Sequence, residues 1–293
     1  MILVIGVRED FTTRYFIEFL QRHNKQYLFF EARALFDGNA EINNDYFSYY
    51  EKKFYYTDFS GVLNRSAAPN LRTFDDNDNQ RFVRYNSLFN SLLNYKFDNI
   101  LNHNFYCISN NSKIFQINLI KSDLIKTPQS LILAGDNIKT TLNQYSKCKR
   151  HVVKSLSGIR SIAHEFETNE KIFSTNRSEH PVLFQELIVG SNIRVHIIDD
   201  FYFAVQISST SLDYRYNNQD FKIAIFDLPQ DIANDCVKIA KQLRLRFTGI
   251  DLIYDPDGGY YILEANPSPG WTYFEKEVND TAMSTQLMKV LSV

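Results

Sequence analysis

Two acidic residues and an asparagine near the end of the 293-residue sequence carry its sharpest chemical signal. In the run GIDLIYDPDGGYYILEANPSPGW, residues 249–271, Asp251 and Glu264 each sit inside an apolar, strand-like stretch (GIDLI and YILEAN). Between the two stretches, Asp257-Gly258-Gly259 is a strong turn signal that folds them into an antiparallel pair. Asp251 lies six residues before Asp257 and Glu264 five after Gly259, which brings the carboxylates nearly opposite each other. Facing side chains in such a pair have Cβ atoms about 4.5–5.5 Å apart. Glu264 and Asn266 share a face because strand side chains alternate. Three oxygen donors, two of them anionic, suit Mg²⁺, which takes a few protein ligands and leaves positions for phosphate oxygens. The plain alternative is a turn-forming Asp and Asn beside a solvated Glu. It explains any one of these residues but poorly explains two carboxylates embedded in apolar strands, where an unpaired charge is expensive.

The segment resembles the closing signature of ATP-grasp enzymes, in particular the branch containing the RimK-type ribosomal-protein glutamate ligase. That signature is an Asp, a spacer, then Glu-x-Asn-x-x-Pro-Gly, and Glu264-Ala-Asn266-Pro-Ser-Pro-Gly270 fits it. The resemblance extends over roughly residues 105–293. It implies ATP as nucleotide and Mg²⁺, with Mn²⁺ as an alternative, held by Asp251, Glu264 and Asn266. Other residues take meaning in the same way. Lys154 ends the strand-like HVVK and precedes the loop SLSGIRS, with Ser157 and Gly158. Alone it reads as a surface lysine beside a turn; the resemblance implies the phosphate-binding lysine of the first ATP-grasp subdomain, under a loop that closes over the nucleotide. Lys113 opens a helix with Pro128 fifteen residues later, and resembles the second nucleotide-contacting lysine.

Gln185-Glu186-Leu187-Ile188 resembles the hinge whose backbone reads the adenine edge, with Glu186 as the acidic side chain for the ribose or amino group. Asn192 stands where the family often has a ribose-binding aspartate. Arg194, in NIRVHII, aligns with an arginine facing the active site. Asp213-Tyr-Arg215-Tyr-Asn217 resembles the segment whose arginine and asparagine approach the γ-phosphate, where Arg215 would stabilise a transferring phosphoryl group. The phrases NSKIFQ, KSLSGIRS, RVHII and LDYRYNN are similar to a RimK-like subgroup of undefined function. Asn64-Arg65 in GVLNRS resembles a pair found in related peptide-modifying ligases, which implies a substrate-side role for Arg65.

These residues need elements to hold them. Ile2–Gly6 reads as a strand, Asp10 as an N-cap, FTTRYFIEFLQRH as a helix and Gln26–Phe30 as a second strand, a Rossmann-like βαβ start. It lacks a GxGxxG turn, so a dinucleotide site there has little support. Tyr46–Phe59 reads as a hairpin, Gly61–Asn64 as a strand and Arg81–Tyr95 as a helix. Further on, Lys113–Ile125 has helical spacing that stops before Pro128. Ser130–Leu133 and His151–Lys154 read as strands and Ile138–Tyr145 as a short helix. Leu183–Leu187, Ile193–Ile198 and Phe201–Ile207 read as antiparallel strands. Asp231–Leu243 and Ala282–Leu291 read as helices. The fold expected is α/β (α+β): an ATP-grasp fold with an N-terminal pre-ATP-grasp domain over 1–105, a first ATP-grasp subdomain over 106–190, and a second, metal-bearing subdomain over 191–293.

Composition narrows the partners. A net charge of −2 gives no footprint for nucleic acid or an anionic membrane. No run approaches about 18 apolar residues, and MILVIGV lacks the features of a secretory signal. Cys107, Cys148 and Cys236 form no CxxC pair, which fits a reducing cytoplasm. His23, His103, His151, His164, His180 and His196 show no metal spacing and read as structural. Dimerisation is a habit of the superfamily, so a homodimer is carried as an expectation from the resemblance. The activity implied is an ATP-dependent carboxylate–amine ligase that forms an amide through an acyl phosphate, on a peptide, an amino acid or a protein tail. Two alternatives stay open: phosphoryl transfer to a hydroxyl on the same fold, and a non-catalytic nucleotide-binding protein.

Overall fold

The first six residues set the pattern of the N-terminal half. Ile2, Leu3, Val4 and Ile5 are all buried, as expected for a strand covered on both faces. A computed structural model of the chain describes residues 1–31, 33–65, single positions between 80 and 97, and 99–102, 113–133, 150–155, 164–165, 182–209 and 221–293. In chain order the elements begin β1 (Ile2–Gly6), α1 (Phe11–Arg22), β2 (Tyr27–Glu31), α2 (Arg33–Phe36), β3 (Ala40–Ile42), β4 (Tyr46–Tyr49), β5 (Lys52–Tyr55), β6 (Gly61–Asn64) and β7 (Ile100–Leu101). They continue α3 (Lys113–Leu119), β8 (Ile125–Lys126), β9 (Ser130–Leu133), β10 (His151–Ser155), β11 (His164–Glu165) and β12 (Val182–Glu186). Last come β13 (Ser191–Ile198), β14 (Phe201–Ser209), β15 (Phe221–Ile225), α4 (Gln230–Gln242), β16 (Phe247–Tyr254), β17 (Tyr260–Asn266), α5 (Thr272–Val278) and α6 (Ala282–Leu291). The described positions within the expected helix 81–95 are helical; the expected helix 138–145 lies outside the described residues.

The chain forms two compact units. One comprises residues 1–107, 245–247 and 268–293. Its sheet runs β2-β1-β6-β7, all parallel, with α1 as the crossover from β1 to β2. This is the Rossmann-like βαβ start that the sequence predicts. Asp10 caps α1 by accepting from the Thr12 and Thr13 amides, satisfying donors a helix start otherwise leaves orphaned. A three-stranded antiparallel sheet, β3-β4-β5, contributes part of the chain's aromatic content. Phe47 packs on Phe30, Phe54 and Phe59 with ring centroids 5.5–5.7 Å apart.

The other unit comprises residues 108–244 and 248–267 and contains two sheets. The first is antiparallel, ordered β11-β10-β12-β9; the second is ordered β15-β14-β13-β16-β17-β8. The three strands expected over 183–207 are therefore divided, with β12 in one sheet and the β13–β14 pair in the other. Helix α4 lies against β13 and β14 and buries Ile232, Ala233, Cys236, Ile239 and Ala240.

The helix predicted over 113–125 ends at Leu119. The Ser122 hydroxyl accepts from the amides of Leu124 and Ile125, a local side-chain bond that competes with helix continuation. Ile125–Lys126 then pairs in parallel with Tyr260–Tyr261 as β8. Strand β15 and helix α5 are elements that the sequence reading did not anticipate. Among the described residues, no helix is long and apolar enough to cross a membrane.

Candidate metal and nucleotide site

The β16–β17 hairpin is built from its turn upward. Gly258 adopts φ +87°, a conformation glycine accepts at no steric cost. The Asp255 side chain accepts from the Gly259 amide at 2.6 Å and the Asp255 carbonyl accepts from Gly258 at 3.1 Å. From there Tyr254 pairs with Tyr260, Ile253 with Tyr261 and Leu252 with Ile262. The next pair is Asp251 with Glu264, so the register slips by one residue and Leu263 is left over. Beyond the slip, Gly249 faces Asn266.

That bulge decides which way the site points. By simple alternation Ile262, Glu264 and Asn266 would share one face. Ile262 is fully buried, whereas Glu264 and Asn266 are half-buried. The extra residue rotates Glu264 and Asn266 onto the face of Asp251, a re-aiming that bulges commonly perform beside functional sites. Asp251, Glu264 and Asn266 thus share a face, as the sequence predicts, through a device it did not foresee.

Two cations stand against the carboxylates. Arg194, on β13, places Nη1 2.6 Å from Asp251 Oδ1, and its Nε lies 3.5 Å from His196 Nε2. The Arg194 side chain is only 7% exposed, against 28% for Asp251, so this ion pair is shielded from solvent and correspondingly less screened. Lys113, the first residue of α3, places Nζ 3.7 Å from Glu264 Oε2. Among the described residues no group of three His, Cys, Asp or Glu side chains gathers that could cage a metal. Two carboxylates and an amide on one strand face are a donor set of the kind that suits Mg²⁺, an ion that takes a few protein oxygens and draws its remaining ligands from phosphates and water. The residues present fit that ion.

Gln116 ends the NSKIFQ run without a role assigned to it from the sequence, yet its side chain bonds to the strand that carries Glu264 and Asn266. One turn after Lys113, its buried amide donates to the Ala265 carbonyl at 2.7 Å and accepts from the Ala265 amide at 2.8 Å. Ala265 lies between Glu264 and Asn266. Gln116 therefore extends the edge pairing that β8 makes further along β17. A lone glutamine in a short helix gives no periodic signal by which to find it.

The hinge candidates lie on the other sheet of the same unit. Lys154 pairs across strands with Leu183, and its Nζ donates to Gln185 Oε1 at 2.9 Å. The Gln185 amide in turn donates to Ser130 Oγ at 3.0 Å, so a buried glutamine orients the lysine. The Glu186 amide donates to the Gln129 carbonyl at 2.8 Å and the Leu187 amide to the Arg150 carbonyl at 2.9 Å. Ile188 follows β12, and Asn192 faces Ile207 on the β13–β14 pair. Ser157, Gly158, Arg215 and Asn217 lie outside the described residues.

Arg65, expected on the substrate side, makes contacts inside its own unit. Its Nε lies 2.9 Å from Asp10 Oδ2, its Nη1 donates to the Pro269 carbonyl at 2.8 Å, and its guanidinium sits 5.4 Å over the Trp271 ring. Burial pushes the Asp10 carboxyl up. The Arg65 charge and hydrogen bonds from Thr13 and Arg65 outweigh it and hold the group below the usual carboxylate range.

This architecture is that of the ATP-grasp ligase structures. The chain superposes on ATP-grasp ligase PsnB, complexed with a phosphomimetic variant of minimal precursor, Mg and ADP, with a TM-score of 0.81 at 22% identity, covering 99% of this chain and 97% of that one. It superposes on macrocyclase MdnC of Microcystis aeruginosa MRC, bound with precursor peptide MdnA, with a TM-score of 0.80 at 18% identity over 100% of both. Residues 110–291 match the RimK-like ATP-grasp domain, and the chain belongs to that family. In sequence it is 28% identical to the D-alanine–D-alanine ligase of Francisella philomiragia over 134 residues, 41% of this chain and 45% of the relative. It is also 28% identical to the protein MG012 of Mycoplasma genitalium over 103 residues, 35% of this chain and 36% of the relative. The chain thus spans less than half the length of the curated relatives it matches.

Proposed function

We propose that this protein is an ATP-dependent carboxylate–amine ligase that makes an amide bond on a peptide or amino-acid substrate through an acyl phosphate. The observation that carries the reading is the pairing of Asp251 with Glu264 across β16 and β17, flanked by Arg194 and Lys113, in a chain of the RimK-like ATP-grasp family. Peptide substrates are favoured because the structural neighbours include PsnB complexed with precursor peptide PsnA2 and MdnC bound with precursor peptide MdnA. Three widely spaced cysteines with no CxxC pair support a reducing, cytoplasmic location.

Asp251, Glu264 and Asn266 would hold Mg²⁺, which neutralises and orients the ATP phosphates when bound. Lys113 and Lys154 share the remaining phosphate charge. The Glu186 and Leu187 amides already donate to Gln129 and Arg150, so in this reading the N–H that reads the adenine edge is that of Ile188. Glu186 serves the ribose or amino group, and Asn192 the ribose. Ser157 and Gly158 belong to the loop over the nucleotide.

A substrate carboxylate oxygen attacks the γ-phosphorus, the bond to the β-phosphate oxygen breaks, and ADP leaves. Arg194, Arg215 and Asn217 stabilise the charge on the acyl phosphate. An amine nitrogen then attacks the acyl carbon, the C–O bond to phosphate breaks, and the amine gives up a proton as the amide forms. No enzyme nucleophile is required; positioning and electrostatics supply the acceleration.

The test is ADP release across amino acids and short peptides, with mass measurement of the products. The reading predicts release that needs both a carboxylate and an amine, with product mass raised by a ligated residue or lowered by one water on ring closure. A phosphorylated product stable to hydroxylamine would instead identify phosphoryl transfer to a hydroxyl. Full turnover by an Asp251→Asn/Glu264→Gln variant would overturn the metal assignment.

A further inference from the structure

Residue 249 is a glycine in the interior of β16, facing Asn266 and two positions before Asp251. Its backbone is extended strand outside the left-handed region, so conformation alone does not demand glycine, and glycine weakens a strand interior. The demand comes from Arg194. A Cβ on residue 249 would lie 2.1 Å from Nη2, 2.4 Å from Cζ and 2.6 Å from Nε of that side chain. All three distances are far inside van der Waals contact. The Arg194 head therefore occupies the volume in which any other residue at 249 would begin its side chain.

We propose that Gly249 is a positioning residue for the ligase reaction: its missing side chain is the slot for the Arg194 guanidinium, and through that guanidinium it fixes the orientation of the Asp251 carboxylate. The inference rests on the ligase reading above for its functional consequence, but its structural content stands apart. With Nη1 of Arg194 2.6 Å from Oδ1 of Asp251, rotation of that carboxylate is restrained on the strand face it shares with Glu264 and Asn266. The atoms that a methyl at 249 would strike are the end of a flexible side chain. Such a methyl displaces the guanidinium rather than breaking the hairpin, so its effect falls on chemistry more heavily than on folding.

A double-mutant cycle separates this from a merely structural glycine. Gly249→Ala, Arg194→Ala and the double variant are compared by ADP release and by the thermal midpoint of the metal-free protein. Gly249→Ala is expected to lower turnover by roughly 10–100-fold, the scale of an ångström's misplacement of a catalytic group. In the Arg194→Ala background, where the slot is empty, the same substitution is expected to change turnover by less than about 2-fold and to leave the midpoint unmoved, the signature of two residues acting as one. Losses that multiply in the double variant overturn the proposal. If Gly249→Ala does not fold, the double variant is expected to fold, and its failure to do so is equally contrary. If the wild-type protein releases no ADP with any substrate, it is the ligase reading that has failed; the slot itself is then read on the thermal midpoint, which Gly249→Ala is expected to lower in the wild-type background and not in the Arg194→Ala background, and an equal fall in both overturns the proposal.

Discussion

Replacing Gln116 with leucine, close to it in volume, strands the amide and carbonyl of Ala265, a residue with no exposed surface. Leaving a buried polar group without its partner costs about 1–3 kcal/mol, so the two groups together cost roughly 2–6 kcal/mol. At this chain length a kcal/mol corresponds to about 2 °C in thermal midpoint, which gives an expected fall of roughly 4–12 °C. Relief of that cost requires β17 to shift, and β17 carries Glu264 and Asn266. A shift near 1 Å is expected to lower turnover about 100-fold. The assay pairs thermal unfolding with ADP release as a function of Mg²⁺. Gln116→Glu supplies the internal control. Its ionised carboxylate opposes the Ala265 carbonyl, whereas the protonated acid can both donate and accept as the amide does. Burial favours that neutral form, so the Gln116→Glu variant should regain stability as pH falls while the leucine variant does not. A Gln116→Leu protein with wild-type midpoint and turnover would refute the claim that this side chain holds the site's framework.

Three further outcomes follow from the same geometry. Lys113→Met removes the ammonium 3.7 Å from Glu264. Calorimetric binding of ADP with Mg²⁺ should weaken roughly 10–100-fold, the value of a charge-assisted contact; unchanged affinity would remove Lys113 from the nucleotide site. Asp10 has a folded-state pKa held below its ordinary value, so its stabilisation is present above the usual carboxylate range and is lost as pH falls through the depressed folded value. Asp10→Asn should therefore lower the thermal midpoint at neutral pH and converge with wild type in acid, whereas parallel curves would contradict the Arg65–Asp10 account. Gly258→Ala forces a side chain into φ +87° at a cost of about 1 kcal/mol or somewhat more. The midpoint should fall by roughly 2 °C, with turnover within about 3-fold of wild type.

The pairing of Asp251 with Glu264 was legible because a Gly-Gly turn signal sits between two apolar runs and fixes their register to within a residue. The remaining residue of register was not read, although a clue was present. Ile262 and Glu264 fall on one face by strict alternation, and an aliphatic side chain with a carboxylate on one face is a conflict that a bulge resolves. The βαβ start was legible from the run of Ile2 to Ile5 and the Asp10 cap. Apolar spacing persists to Ile125, so the sequence alone reads helix α3 past its end at Leu119, whereas termination depends on one hydroxyl, that of Ser122. Helix α5 is not legible in the sequence because its seven residues behind the proline-rich Pro267–Gly270 give too short a span for helical periodicity to show. The sheet to which β12 belongs, and the roles of Gln116 and Gly249, depend on contacts between segments far apart in sequence. No local pattern encodes them.

The central claim is that Asp251, Glu264 and Asn266 bind a divalent cation together with nucleotide. Electron paramagnetic resonance of Mn²⁺, standing in for Mg²⁺, tests it most directly, titrated into the protein with and without ADP. The account predicts Mn²⁺ binding that strengthens with ADP in the wild-type protein and is lost in the Asp251→Asn/Glu264→Gln variant, which should remain folded. Equal Mn²⁺ binding by the two proteins in the presence of ADP would contradict it.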